Sequence, residues 1–160
     1  MPTLLRISET ASLAMHAMAL LASAPRPLST ARAAVHLKSS SHTLAKVFRQ
    51  LAKAGMVKSK RGPQGGFVLR RPAAEITLRQ IYEAVEGEIG EPECLLGLPR
   101  CLAARCALRG VLQEVHAKTS AYLNSLTAKD LAGLLGWIPG GAGVKGVEHA
   151  KAQNHPHRRR

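Results

Sequence analysis

The three cysteines of this 160-residue chain lie in one short stretch, and their thiols are the side chains best suited to chemistry. Cys94, Cys101 and Cys106 fall within "CLLGLPRCLAARC", where Gly97 and Pro99 disfavour regular secondary structure. In such a loop three thiolates can surround one inorganic centre, and both Zn²⁺ and an iron–sulfur cluster accept thiolate ligands. The paired CxxC spacing typical of a zinc ribbon is absent from the sequence, so spacing alone leaves both centres open.

A disulfide is a weaker explanation for these thiols. The apolar stretch at residues 11–24 is too short and too interrupted to span a bilayer, and Glu9 and His16 argue against a signal peptide, so we expect a cytoplasmic protein without membrane contact. The cytoplasm keeps thiols reduced, and an odd number of cysteines cannot all pair within one chain.

Catalysis is also disfavoured. Cys106 as nucleophile and His116 as base would lie ten residues apart on one predicted helix, about 15 Å along its axis, which is too far for proton transfer. The glycine-rich "RGPQGG" at residues 61–66 lacks the lysine and hydroxyl pair of a nucleotide-binding P-loop. We therefore predict that the protein is not an enzyme and that the cysteines hold a metal centre.

The charge of the chain indicates the class of partner. The formal net charge is +13, and residues 1–71 contain twelve Lys or Arg side chains but a single acid, Glu9. Because solvated surfaces normally mix both signs, such a segment is typical of a protein that meets a polyanion, and double-stranded DNA is the partner we expect.

Residues 1–72 show the pattern of a winged helix-turn-helix domain. Helices are predicted from about Ser8 to Ala24, from Ser29 to His36 and from Ser40 to Gly55, with serine caps on the second and third. The third helix has one buried face, whose apolar side chains recur at i, i+3, i+4 and i+7: Leu44, Val47, Phe48 and Leu51. A β-hairpin with a basic tip follows, turns at residues 62–66 and closes at Pro72.

Residues 73–135 are predicted to hold the cysteine loop and a dimerisation helix. Thr77 caps a helix that runs to Gly87, and a long helix follows the loop with a stripe of Leu108, Val111, Leu112, Val115, Thr119, Tyr122, Leu123 and Leu126. A short helix in "TAKDLAGLL" comes next, and residues 136–160 lack periodicity and are predicted to be a disordered basic tail. The predicted fold class is mainly α with a small β wing.

This architecture assigns DNA-contacting roles, because the third helix of a winged helix-turn-helix enters the major groove and the wing touches the neighbouring backbone or minor groove. Side chains near the start of that helix are predicted to meet base edges: Ser41, His42, Thr43 and Lys46. Ser40 caps the helix, whose free N–H groups attract anions, while Arg49 and Lys53 are predicted to contact phosphate. In the wing the predicted contacts are the cations Lys58, Lys60 and Arg61 and the glycines Gly62 and Gly65, which permit close backbone approach.

Several motifs resemble, in order, the family of bacterial winged-helix iron–sulfur regulators that includes IscR and NsrR. They span residues 4–135 and comprise "SLAMHAMALLA", "TLAKVFRQLAKAGMVKSKRGPQGGFVL", "ITLRQIYEAVEG", the cysteine loop and "RGVLQEVHAKTSAYLNSLTAKDL". The resemblance implies a homodimeric transcription factor, often a repressor, whose long helix pairs with its symmetry mate. It also implies that Cys94, Cys101 and Cys106 are the ligands of an iron–sulfur cluster.

The fourth ligand departs from the family pattern. IscR-like members have a histidine where this chain has Arg109, and NsrR-like members use an acid of the partner subunit's first helix where this chain has Ser12. Glu9 and His16 share a helical face with Ser12, so either could complete the site. A solvent-facing or core-satisfied imidazole is the alternative interpretation of His16.

The combined expectation is a homodimeric regulator that senses redox state, nitric oxide or iron through its cluster. A two-iron two-sulfur cluster is favoured over a four-iron four-sulfur cluster. A dimer reading one face of DNA places its two recognition helices about 34 Å apart, so the expected site is an imperfect palindrome. A DNA-binding protein with a structural zinc at the same cysteines is the alternative.

Overall fold

The computed structural model describes residues 7–90 and 107–135, so the predictions for Cys94, Cys101, Cys106 and the tail of residues 136–160 lie outside the described residues. The helices are α1 (Glu9–Ser23), α2 (Thr30–His36), α3 (Ser41–Lys53), α4 (Leu78–Glu86), α5 (Ala107–Ser125) and α6 (Ala128–Leu135). Strands β1 (Val57–Lys60) and β2 (Gly66–Leu69) form an antiparallel pair, and a 3-10 turn spans Ala73–Glu75. The predicted fold class is confirmed. No helix in the described ranges has the length and apolar character needed to cross a membrane.

Side-chain caps fix where the helices begin. The hydroxyls of Ser8, Ser29 and Ser40 each accept a hydrogen bond from the backbone N–H three residues later. Thr77 does the same for α4, and Gln80 completes a capping box because its Oε1 accepts from the Thr77 N–H at 3.2 Å. The caps predicted at Ser29, Ser40 and Thr77 are confirmed, and each is worth about 1 kcal/mol relative to alanine.

One hydrophobic core joins the helices on both sides of Pro72. It is built largely from aliphatic side chains, and Phe48 is its largest fully buried member. The central helix is α1, which is apolar on most of its circumference and packs against α3, α4 and α6. The recognition helix and the helices next to the cysteine loop therefore share one packed interior.

The stripe predicted for α5 divides into two faces. Leu112 and Leu123 are buried, so this face packs toward the rest of the protomer. Four large apolar side chains on the other face stay exposed: Leu108, Val111, Val115 and Tyr122. On that face the Lys118 Nζ donates to the Glu114 Oε1 at 2.6 Å, and this hydrogen bond lowers the pKa of the Glu114 carboxyl.

The junction between α5 and α6 is tied to the start of α4. The Leu78 N–H donates to the Leu126 carbonyl at 2.9 Å, and the Ala128 N–H donates to the Ile76 carbonyl at 2.8 Å. Asp130 also stabilises the junction, because its Oδ2 accepts a hydrogen bond from the Thr127 hydroxyl at 2.6 Å. This hydrogen bond lowers the pKa of the Asp130 carboxyl. The long helix α5 is thus anchored at its C-terminal end to the common core.

Candidate nucleic-acid interface

Helix α3 has one face in the core and one face toward solvent. The buried face is the predicted one: Leu44, Val47, Phe48 and Leu51. On the opposite face His42, Lys46, Arg49 and Lys53 are all exposed and follow one another at i, i+4, i+7 and i+11. Because residues at these spacings share one side of a helix, three cations and one imidazole form a continuous ridge.

Two of the hydroxyls at the start of α3 bond to each other. The Ser40 Oγ accepts from the Thr43 N–H at 3.0 Å and lies 2.7 Å from the Thr43 Oγ1. These contacts stabilise the first turn. Ser41 and His42 are exposed in the same turn, and neither takes part in the hydrogen bonds between Ser40 and Thr43. The geometry therefore gives Ser41 and His42 the most accessible polar groups for base edges, whereas base reading by Thr43 stays a prediction.

The wing projects from the body of the protein. Strands β1 and β2 pair with Val57 opposite Leu69 and Lys60 opposite Gly66, and the turn closes where the Gly65 N–H donates to the Gly62 carbonyl at 2.8 Å. Of the β1 side chains only Val57 is buried. The exposed residues of the strand and tip include the predicted contacts Lys58, Lys60, Arg61 and Gly62.

Two glycines of the wing, Gly65 and Gly66, are required by contacts within the chain itself. A Cβ on Gly65 would lie 2.6 Å from the Lys60 carbonyl oxygen, which is closer than side-chain carbons approach backbone. A Cβ on Gly66 would lie 2.5 Å from the carbonyl carbon of Leu28. The close approach that the sequence suggested is thus made to the protein's own backbone, and DNA contact by Gly62 and Gly65 stays a prediction.

The wing is held in a fixed position relative to α3. The Phe67 ring stacks on Phe48 with ring centroids 4.5 Å apart and an interplanar angle of 15°. Phe67 also exchanges two backbone hydrogen bonds with Leu28, at 2.9 and 3.0 Å. The recognition helix, the wing and the connection between α1 and α2 are therefore joined by direct contacts. The pairing of Leu28 with Phe67 is long-range, and no local sequence motif predicts it.

Substituting Gly66 tests how far this anchoring matters. Gly66→Ala is expected to displace the wing from Leu28 at a cost of about 1–3 kcal/mol and to weaken DNA binding, because overpacking forces the backbone to move. Gly133→Ala is the matched control, since a Cβ there meets nothing within 4 Å. Thermal unfolding and DNA titration check both variants, and unchanged DNA affinity for Gly66→Ala would contradict the anchoring role.

The cations of this surface are not neutralised by nearby acids. In the described part of residues 1–71 the only carboxylate is Glu9, on α1. The two ion pairs found in the described ranges, Arg79 with Glu83 and Lys118 with Glu114, involve no residue of α3 or the wing. The ridge and the wing therefore combine into one positive surface, which favours a polyanionic partner.

The candidate ligands on α1 lie apart from this surface. Glu9 and His16 are both exposed, and the His16 Nδ1 lies 2.7 Å from the Ser12 carbonyl oxygen. Because a carbonyl can only accept, Nδ1 is the donor in this hydrogen bond, and Nε2 is the ring nitrogen left for another partner. Among the residues that the structure describes, no three His, Cys, Asp or Glu side chains form a metal-binding group.

The segment that leads into the cysteine loop is held beside the first turn of α1. The Ser8 hydroxyl donates to a carboxylate oxygen of Glu86, in the last turn of α4. Beyond α4, Ile89 is fixed twice, because its N–H donates to the Glu83 Oε1 at 3.3 Å and its carbonyl accepts from Arg79 at 3.4 Å. The structure therefore places the last turn of α4 beside the N-cap of α1, one residue before Glu9. Of these contacts the sequence signalled only the Arg79–Glu83 pair, through its i,i+4 spacing.

Comparison with known proteins agrees with this architecture. The sequence profile of the Rrf2 family, described as iron-dependent transcriptional regulators, matches residues 7–133. The HTH-type transcriptional regulator YwgB of Bacillus subtilis is 38% identical over 87 residues, which are 52% of this chain and 55% of that protein. IscR of Serratia proteamaculans is 32% identical over 89 residues, 55% of this chain and 54% of that protein. The chain thus spans little more than half the length of these curated relatives.

Solved structures extend the likeness to most of the chain. CymR, the global cysteine regulator of B. subtilis, has a TM-score of 0.71 at 30% identity, covering 81% of this chain and 98% of that one. IscR of T. potens has a TM-score of 0.67 at 25% identity, covering 94% of both chains. The predicted winged helix-turn-helix is confirmed, and the proteins that this chain resembles are transcriptional regulators and not enzymes. With the family profile matched from residue 7 to residue 133, the chain belongs to the Rrf2 family of transcriptional regulators.

Proposed function

We propose that the protein is a cytoplasmic, homodimeric, iron–sulfur-dependent regulator that represses transcription by binding an imperfect palindrome. The observation that carries DNA recognition is the continuous positive surface of α3 and the wing. In it Lys46, Arg49 and Lys53 stand on the solvent side of a helix whose other side is packed in the core. A helix presented in this way fits the major groove, and the wing fits the backbone beside it.

Side-chain substitutions separate base reading from phosphate binding on this surface. We expect His42→Ala to change the preferred DNA sequence, because the exposed imidazole at the start of α3 faces base edges. Lys60→Ala is expected to weaken binding to all sequences alike and to reduce the salt dependence by about one phosphate contact. Selection from a pool of random duplexes, followed by titration over a range of salt, measures both effects. The same selected sequence and equal losses for both variants would contradict the assignment.

The exposed face of α5 supports a homodimer. Leu108, Val111, Val115 and Tyr122 expose 53%, 57%, 40% and 63% of their surfaces. A row of large exposed apolar side chains is costly in water, and the same row on a second copy of the helix can bury it in a symmetric interface. Leu112 and Leu123 on the adjacent face already pack in the protomer, so dimerisation leaves the protomer core intact.

The donor set for the cluster combines the cysteines with α1. Cys94, Cys101 and Cys106 supply three thiolates, and His16 offers an imidazole whose Nε2 is free, with Ser12 fixing the ring through Nδ1. Thiolate and imidazole together suit a two-iron two-sulfur cluster, which histidine ligates in other proteins, and a backbone carbonyl that accepts from the other ring nitrogen commonly orients such a ring. When bound, the cluster supplies reactivity toward oxidants and nitric oxide and a dependence on iron supply. Glu9 is the other candidate for the fourth position.

A contact between α4 and α3 offers a route from the cluster to DNA. The Gln50 side chain in α3 donates to the Val85 carbonyl at 3.4 Å, in the last turn of α4, and its Oε1 is buried without a partner among the described residues. The chain continues from that turn through Ile89 into the cysteine loop. Cluster binding at the cysteines can therefore bias the position of α4 and with it the recognition helix, and such a local binding event can shift a dimer between two DNA-binding states.

A further inference from the structure

A second group of cations lies beside the wing, outside the predicted DNA contacts. Arg26, in the connection between α1 and α2, and Arg32, in α2, line a cavity of about 330 Å³ whose far wall is the wing tip with Gln64 and Gly65. Both arginines are exposed, and neither forms an ion pair with a carboxylate of the described residues. The cavity is therefore a positively charged cleft with hydrogen-bond donors on one wall.

The position of this cleft is set by backbone contacts. Leu28 pairs with Phe67 through two hydrogen bonds, and Gly66 approaches the Leu28 carbonyl so closely that a Cβ would not fit. Arg26 stands two residues before Leu28 and so keeps a fixed place beside the wing. A preformed cleft is favourable for binding because little conformational freedom is lost when the ligand enters.

The chemistry of the lining favours a phosphate group. Guanidinium groups present a planar fork of N–H donors that matches phosphate oxygens, and they keep their charge at every physiological pH. The Ser29 Oγ already accepts from the Arg32 N–H at 3.3 Å, so the backbone that carries Arg32 is itself fixed. A site for free phosphate would need donors on several sides of the anion. These two arginines are instead exposed to solvent beside the wing, where a phosphate of a bound duplex can reach them.

We propose that Arg26 and Arg32 bind a backbone phosphate of the duplex in this cleft, beside the wing tip. The inference rests on the proposed DNA-binding function and adds a binding site to it. It predicts that the wing region contacts the DNA backbone at two places. The wing tip binds through Lys60 and Arg61, and the cleft binds through Arg26 and Arg32. The footprint then extends beyond the bases that α3 reads.

The test is a titration of a selected duplex and a scrambled duplex at several salt concentrations. Arg26→Ala and Arg32→Ala are each expected to lower affinity for both duplexes about tenfold, and the double variant is expected to reduce the slope of log affinity against log salt by about 0.9. Lys129→Ala on α6 removes the same charge away from α3 and the wing and is expected to keep the wild-type slope. Arg26→Lys keeps the charge and is expected to keep the slope while losing the bidentate geometry. Thermal melting of each variant checks that it is folded.

A chemical change in the DNA locates the contact. Replacing single phosphates by uncharged methylphosphonates is expected to reveal one position whose loss weakens the wild-type protein, weakens each single arginine variant less, and has no further effect on the double variant Arg26→Ala with Arg32→Ala. Calorimetry with inorganic phosphate alone is expected to show no tight binding. Tight phosphate binding, together with wild-type DNA affinity in both variants, would assign the cleft to a free anion and overturn the proposal.

The outcomes separate this proposal from the function on which it rests. If the wild-type protein binds DNA with a steep salt dependence and both arginine variants match it, the phosphate cleft is wrong and the DNA-binding function stands. If the wild-type protein binds neither duplex, both are overturned.

Discussion

A protein carrying Val111→Lys and Val115→Lys together is expected to be a folded monomer that binds its operator at least about a hundredfold more weakly than the wild type. Both side chains are exposed on α5, so lysines fit there without disturbing the protomer. In a symmetric dimer the same patch of both copies forms the interface, so four new lysines would meet there, and like charges in an interface oppose association. Operator affinity falls because a monomer loses the second half-site, which in the dimer binds at a high effective concentration.

Sedimentation velocity measures the oligomeric state, and fluorescence anisotropy measures operator affinity. The control is Leu123→Ala on the buried face of the same helix, which leaves a cavity and is expected to lower stability by about 2–5 kcal/mol while the protein stays dimeric. If the double lysine variant sedimented as a dimer and kept wild-type affinity, α5 would not be the dimer interface.

Loss of a single cysteine is the second large effect. Cys101→Ala, isolated without air, is expected to be colourless and to contain neither iron nor acid-labile sulfide, because two thiolates no longer enclose a cluster. Its affinity for the operator is expected to differ from that of the wild type by about tenfold or more, which corresponds to a coupling free energy of about 1–3 kcal/mol. Visible absorption, iron and sulfide analysis and DNA titration measure these quantities.

Histidine variants provide the matched comparison for the cysteine. His16→Ala is expected to keep three thiolate ligands but to change the visible spectrum, since the imidazole that Ser12 orients is lost. His42→Ala removes an imidazole on the DNA-facing ridge and is expected to keep the wild-type spectrum. Stoichiometric zinc without sulfide in the wild-type protein would establish the structural-zinc alternative instead.

Much of the fold follows from local signals in the sequence. The caps at Ser29, Ser40 and Thr77 are local, because the residue type and its distance from the first apolar residue determine the hydrogen bond. The buried face of α3 follows from its period, and the ends of the hairpin follow from glycine and proline. These features depend on residues that are close together in the sequence, so they can be predicted from the sequence without knowledge of the fold.

Long-range contacts are the part that the sequence did not reveal. The apolar positions of α5 form one broad stripe in the sequence, and periodicity does not say that Leu112 faces the protomer while Val111 faces outward. The pairing of Leu28 with Phe67 joins residues far apart in the chain, and only this contact brings Arg26 to the wing and creates the second group of cations. The candidate site was therefore predicted for α3 and the wing tip but not for the cleft.

Operator affinity measured on one anaerobically isolated sample, before and after a chelator removes its iron, tests most directly whether an iron–sulfur centre controls DNA binding. We predict that the wild-type protein changes its affinity by about tenfold or more on iron removal, and that Cys101→Ala has the affinity of the stripped protein throughout. Equal affinities for the untreated protein, the stripped protein and Cys101→Ala would contradict control by the cluster and leave a DNA-binding regulator that does not depend on iron.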